Sequence, residues 1–142
     1  MALTDRSLVR DEIYGAIAAV TAIQNAYNYP PLALEGASPV VWIHNDGTHA
    51  NFLARNSNQI DHYFVITIAV NRKAHDVSNA EIVLDDVYTS IMQALRDIVV
   101  GTNYSALQVR ADRRSQAIFG IVDGIPYRFE EIYIMARSNI TG

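Results

Sequence analysis

Cysteine is absent from the 142-residue chain, which excludes a disulfide framework and thiolate metal sites and suits a reducing compartment. Positive charge is scarce as well. Eleven Lys and Arg against fifteen Asp and Glu leave a net charge of −4 and a pI near 5.4, which argues against broad binding to nucleic acid or an anionic membrane. The one basic cluster, Arg110, Arg113 and Arg114, is interrupted by Asp112 and reads as a solvated loop. The opening stretch MALTDRSLVRDEIYGAIAAV lacks the basic-then-apolar order of an export signal, and Arg6, Arg10, Asp11 and Glu12 break any run long enough to cross a bilayer. A soluble protein without membrane contact is expected. There is no internal repeat, low-complexity tract or linker, and half the residues are hydrophobic, so residues 1–142 are read as one domain with a core of its own.

Hydrophobic spacing then marks the elements. Val9, Ile13, Ala16, Ile17, Val20, Ile23 and Tyr27 recur at helical intervals; Thr4 stands as a cap, with Leu3 and Leu8 at the staple positions around it. This predicts a helix from about Asp5 to about Asn25, halted by Pro30 and Pro31 and followed by an extended connector. VVWIH, from Val40, is a short strand ending at the turn signal Asn45-Asp46-Gly47. The seventeen residues 45–61, largely polar and rich in Asn, read as a loop, with only ANFLAR able to form a brief strand. So long a polar connection in a compact domain is either disordered or used for contact.

HYFVITIAVNR is apolar on both faces, as a central strand covered on both sides would be. Ser78 and Glu81 form a capping-box pattern before a stripe of Leu84, Val87, Tyr88, Ile91, Leu95 and Ile98, predicting a second helix that ends near Gly101. SALQVRA and AIFGIV are strands separated by the loop DRRSQ, and Asp123-Gly124 joins the second to a last strand beginning at Ile125. The order α-β-(loop)-β-α-β-β-β gives an α+β fold, a mostly antiparallel sheet packed against two helices, with a long polar loop after the first strand.

Residues that carry chemistry are thinly spread. His44, His49, His62 and His75 show no i, i+4 pair, so they are read as surface or strand-end histidines and no metal or cofactor is expected. The doublets Asp85-Asp86 and Glu130-Glu131 diverge, on a helix by about 100° and on a strand to opposite faces, so neither is a pre-formed acid–base pair. Ser105, Ser115 and Ser138 lack a nucleophile motif, and no glycine-rich phosphate loop occurs. The sequence assigns no catalytic residue.

What stands out is polar and aromatic material that a monomer does not need. The last strand, PYRFEEIYIMAR, puts Tyr127, Phe129, Tyr133 and Met135 on one side with Glu131, and Arg128 and Glu130 on the other with Ile132 and Ile134. Tyr and Arg favour protein interfaces, and carboxylates there set orientation and exclude wrong partners. A rival reading makes Arg128, Glu130 and Glu131 guards of a sheet edge against aggregation.

The element order, the VITIAVNR strand, the helix SNAEIVLDDVYTSIMQAL and the hairpin FGIVDGIPYRFEEIYIMAR resemble the tail terminator, or tail completion, proteins of long-tailed bacteriophages. The resemblance implies a non-enzymatic virion subunit that assembles, typically as a hexameric ring, on the head-proximal end of the tail tube. It would stop addition of tube protein and present a surface to the head–tail connector, while genome DNA passes the lumen without specific binding. On this reading the loop residues Asn45, Asp46, His49, Asn51, Arg55 and Asn58 contact the tube or a neighbouring subunit, and Arg113, Arg114, Arg128, Glu130 and Glu131 pair subunits around the ring. Two alternatives are a head–tail connector or neck protein, and a small cytosolic ligand-binding or enzymatic α+β domain.

Overall fold

The computed structural model describes residues 5–34, 36–54, 57–72 and 77–140, except the side chains of 50–54, 57–58, 77–78 and 139–140. Helix α1, Arg6–Ala18, is capped by Asp5, whose carboxylate accepts from the Ser7 amide and hydroxyl, each at 2.8 Å. Those two bonds hold the exposed Asp5 carboxyl below its ordinary value. Cap residue Thr4 and staple residue Leu3 lie outside the described residues; Leu8 is half exposed. Val9, Ile13 and Ile17, one turn apart, form the buried stripe.

The helix ends at Ala18, about two turns earlier than its apolar spacing predicts. Residues 19–24 turn, and strand β1, Asn25–Tyr27, pairs in parallel with the start of β2, Val40–Ala54. The amides of Gln24 and Asn25 donate to the Pro39 carbonyl, and the Gln24 side chain accepts from the Ser38 amide. Backbone pairing with a strand fifteen residues away thus takes the groups that a longer helix would have used, and a one-dimensional period cannot register that competition.

The expected polar loop is strand instead. β2 and β3, Ser57–Asn71, are antiparallel from Val40↔Ala69 to Ala54↔Ser57, with register slips between Asn45 and Thr48 and between Phe52 and Ala54. Gly47, at φ 102°, occupies the first slip in a conformation open to glycine. Alternation of apolar and polar residues marks a strand only where one face is buried. Residues 45–54 and 57–59 run beyond the part of the sheet that the helices cover, and their sequence carries no sustained apolar alternation.

Helix α2, Val77–Arg96, places Ser78 inside its first turn and buries Ala80, Leu84, Val87, Ile91 and Leu95 against the sheet. Strands β4, Ala106–Val109, and β5, Gln116–Val122, lie end to end along one side of β6, Ile125–Ile140, whose other side pairs with β3 over Asn58 to Asn71. The turn between β5 and β6 has positive φ at Asp123 (52°) and Gly124 (76°), the two-residue hairpin that the dipeptide predicts. The sheet is six-stranded, β1-β2-β3-β6-β4 with β5 also on β6, and antiparallel except at β1. Two helices on a mostly antiparallel sheet make an α+β fold.

Two apolar clusters sandwich the sheet. The larger lies under the helices and takes Val41 and Ile43 from β2, Phe64, Ile66, Ile68 and Val70 from β3, and Ile132, Ile134 and Ala136 from β6. The smaller, on the opposite face, gathers Leu34, Val40, Ala69 and Tyr127 where the connector after β1 folds back, with Asn71 donating to the Gly36 carbonyl and Tyr127 to that of Ala37. β3 is therefore covered on both sides.

Candidate assembly surfaces

The charges of β6 fall into place once its two faces are known. Arg128 is on the helix side, where its Nε donates to Glu81 Oε1 of α2 at 2.6 Å and its guanidinium lies 4.2 Å from the Phe119 ring centroid. Glu130 is half-buried on the same face and Glu131 on the other, opposite Thr67 and Gln116. Thus one of the three charges is spoken for within the chain, while Glu130 and Glu131 have no ion pair among the described residues.

The arginine loop between β4 and β5 does more than solvate itself. It folds over the face away from the helices, where Arg113 stacks on Tyr133 of β6 at 3.6 Å and Arg110 on Tyr63 of β3 at 4.6 Å. Both guanidiniums reach Asp46 of β2, at 3.5 and 3.8 Å. Arg110 also grips Asp112 with bonds of 3.0 and 2.6 Å, which hold the Asp112 carboxyl below its ordinary value. The loop thereby links one edge of the sheet to β2 across β6 and β3. Ion pairs this exposed contribute little singly; the stacked rings and shared carboxylate fix the loop's position. Arg114 is exposed, with no ion pair among the described residues.

Beyond the helices, β2, β3 and the end of β6 form a three-stranded arm. Asn45, at its base, accepts from Arg10 of α1 at 3.0 Å; His49 is exposed. Asn51 and Asn58 are strand residues whose side chains lie outside the description, and Arg55, like His75, falls outside the described residues. Asp61, buried on β3, is held by Arg137 of β6 through bonds of 2.8 and 3.3 Å. His62 points toward the helix layer with 2 % exposure, and neither ring nitrogen has a hydrogen-bond partner among the described residues. Burial, assisted by the charge of Arg6 and opposed by Asp61, lowers its pKa, so the ring is neutral.

The sequence-based reading places the strand at AIFGIV but does not foresee its exposure. β5 is strand as expected, yet Ile118, Phe119 and Ile121 are 44, 63 and 75 % exposed. Helix α1 rests on β1 and β2 and α2 on β3 and β6, so neither helix covers β5. An apolar strand without a charge reads as buried, and nothing in its own residues reveals that the helix layer stops one strand short.

The described residues hold no group of three His, Asp or Glu arranged for a metal, and no helix long and apolar enough to cross a membrane. An apolar groove between α2 and β4, lined by Met92, Leu95, Val99, Leu107, Val109 and Ile134, has a volume of ≈ 200 Å³, below the roughly 300 Å³ at which small-molecule sites begin. Asp85 and Asp86 are exposed on the wet side of α2.

No family model and no curated protein matches the chain. Among solved structures, the fold is similar to that of a chain in the "Virion of native gene transfer agent (GTA) particle", with a TM-score of 0.59 and 17 % identity. The match covers 94 % of this chain and 95 % of that one. At that identity the likeness is one of fold, and it extends over nearly the whole of both chains.

Proposed function

We propose that this protein is a structural subunit of a phage-like virion, and that it closes the head-proximal end of the tail tube as a ring, hexameric in the simplest form. The observation that carries the reading is the fold shared, end to end, with a chain of a gene transfer agent virion. The element order and the β5–β6 hairpin that resemble tail terminators support the same conclusion. The ring stops addition of tube protein and offers its other surface to the connector, and the net charge of −4 lets DNA slide through a lumen by disfavouring phosphate contacts. No bond-making step is part of this role.

Within the proposal, the three-stranded arm is the contact to the tube or to a neighbour, through Asn45, Asp46, His49, Asn51, Arg55 and Asn58. Arg114, Glu130 and Glu131 supply charges to the subunit contact, while Arg113 and Arg128, already stacked inside the chain, hold that surface in shape. Electron microscopy of source particles with this gene disrupted tests the role. Overlong, headless tubes are the expected result. Headless tails of normal length move the protein to the neck or joining step, and intact infectious particles overturn a structural role altogether.

A further inference from the structure

The exposed apolar side chains are not scattered. One group, Ile118, Phe119 and Ile121, occupies β5 at one limit of the sheet. Register places Phe119 opposite Arg128 and Ile121 opposite Pro126, hence both on the helix side, and Ile118 opposite Phe129 on the other. β5 pairs with β6 on one side and, among the described residues, has no strand on its outer side. The usual protections of such an edge are missing: its seven residues, QAIFGIV, contain no charge and no proline, and its pairing has no bulge. Arg72 stacks on Phe119 at 4.8 Å and has no carboxylate partner among the described residues.

A second group lies at the opposite limit, beyond β1. Tyr29 is 56 % and Leu32 106 % exposed in the connector after β1, and Leu8 is 50 % exposed on α1. The Asn28 side chain donates to Asp11 at 2.9 Å, bringing the outer side of α1 next to that connector; Leu8 and Asp11 share a face three residues apart. Asp11 is exposed and has no cationic partner among the described residues. The two limits are thus both apolar, and one carries an unpaired cation where the other carries an unpaired anion. Four strand spacings, roughly 19 Å, separate them.

We propose that these two limits are the halves of one subunit seam, β5 of one copy of this chain docking on the α1–β1 edge of the next. The inference rests on the ring reading above and names its contact. A head-to-tail contact between two different patches is what generates a ring. The apolar residues meet at its centre, Arg72 of one copy faces Asp11 of its neighbour, and the open backbone edge of β5 is shielded from unspecific strand pairing.

The absence of cysteine makes the test direct. Ile121→Cys and Leu32→Cys are prepared singly and together, and treated with a short bis-maleimide, with and without tail tubes of the source particle. The double variant is expected to give a ladder of covalent multimers ending at the ring, and each single variant to show only the uncross-linked chain on a denaturing gel. Ile121→Glu is expected to keep the wild-type melting temperature and weaken self-association about 30-fold, the effect of losing a buried interface anchor. Rings visible on tubes with no ladder from the double variant overturn the seam and leave the ring reading standing. Cross-linking of Ile121→Cys to itself shows a two-fold contact instead and overturns the head-to-tail arrangement. Wild-type protein that forms no ring on tubes overturns both.

Discussion

Glu12 ties the two ends of the helix layer together, and replacing it by Gln should be felt well away from α1. Its Oε2 accepts from the Thr102 amide at 2.8 Å, and its Oε1 from the amide and side chain of Asn103, both at 2.9 Å. Those donors belong to the segment that leads from α2 into β4, so one carboxylate fixes a turn ninety residues away in sequence. The same segment is pinned by Tyr104, whose hydroxyl donates to the Ile98 carbonyl at 2.7 Å and whose pKa is pushed up to about 12 by burial and by the Glu12 charge. A glutamine keeps the shape, and one amide oxygen can serve Asn103. Its NH₂ group then confronts the Thr102 N–H, donor against donor. Hydrogen bonds to a charged group contribute about 1.5–3 kcal/mol and neutral ones about half that. With the Thr102 amide exposed enough for water to replace the lost acceptor, Glu12→Gln should cost about 1.5 kcal/mol. In a chain of this size that corresponds to roughly 5 °C in Tm. Urea unfolding followed by circular dichroism measures it as a shift in midpoint at constant slope. Asn103→Ala in the Glu12→Gln background should add less than it does alone, by about 0.5 kcal/mol or more, because the two share bonds. A loss within about 0.3 kcal/mol of zero, or strict additivity in the cycle, would refute the account.

Two further outcomes follow from buried polar groups in the sheet. His62 is neutral in the fold with its pKa lowered from 6.5, so the unfolded chain binds the extra proton first and stability falls as pH drops below about 6.5, while it is flat above. In His62→Gln, pH-dependent melting should lose that part of the acid slope; an unchanged slope assigns the acid sensitivity to other groups. For Asp61 and Arg137 the two partners differ in burial, with side chains 9 and 39 % exposed. Arg137→Met strands a buried carboxylate and should cost about 3 kcal/mol, whereas Asp61→Asn leaves a cation that can reach water and should cost less than half as much. Equal losses in chemical denaturation would contradict that asymmetry.

The sequence displays its elements well where local rules act alone. α2 has one apolar stripe on a long amphipathic run, β3 is apolar on both faces, and Asp123-Gly124 favours the positive φ angles that the turn requires. It fails where a distant segment decides. The last turns of the predicted first helix are claimed by Pro39 and the start of β2, and the polar hairpin arm is strand because β3 and β6 extend beside it, not because of its own pattern. The same holds for the candidate surfaces. That Arg113 reaches Asp46 over Tyr133, or that β5 lies beyond the helices, depends on which strands become neighbours, and strand order is not encoded in any short window. Glu130 and Glu131 could be assigned to opposite faces from alternation alone; that Arg128 pairs with Glu81 could not.

The place of β6 bears on how the molecule comes into being on the ribosome. It follows every other strand in sequence, yet it sits between β3 and the β4–β5 side. Until β6 is synthesised, β3 presents an unpaired inner edge from Asn58 to Asn71, β4 and β5 have nothing to pair with, and the helices lack half their floor. Such non-local pairing makes closure a late and comparatively slow event. An incomplete nascent chain therefore cannot hold β5 in place beside the rest of the sheet, and that apolar edge takes shape only after β6 has been made.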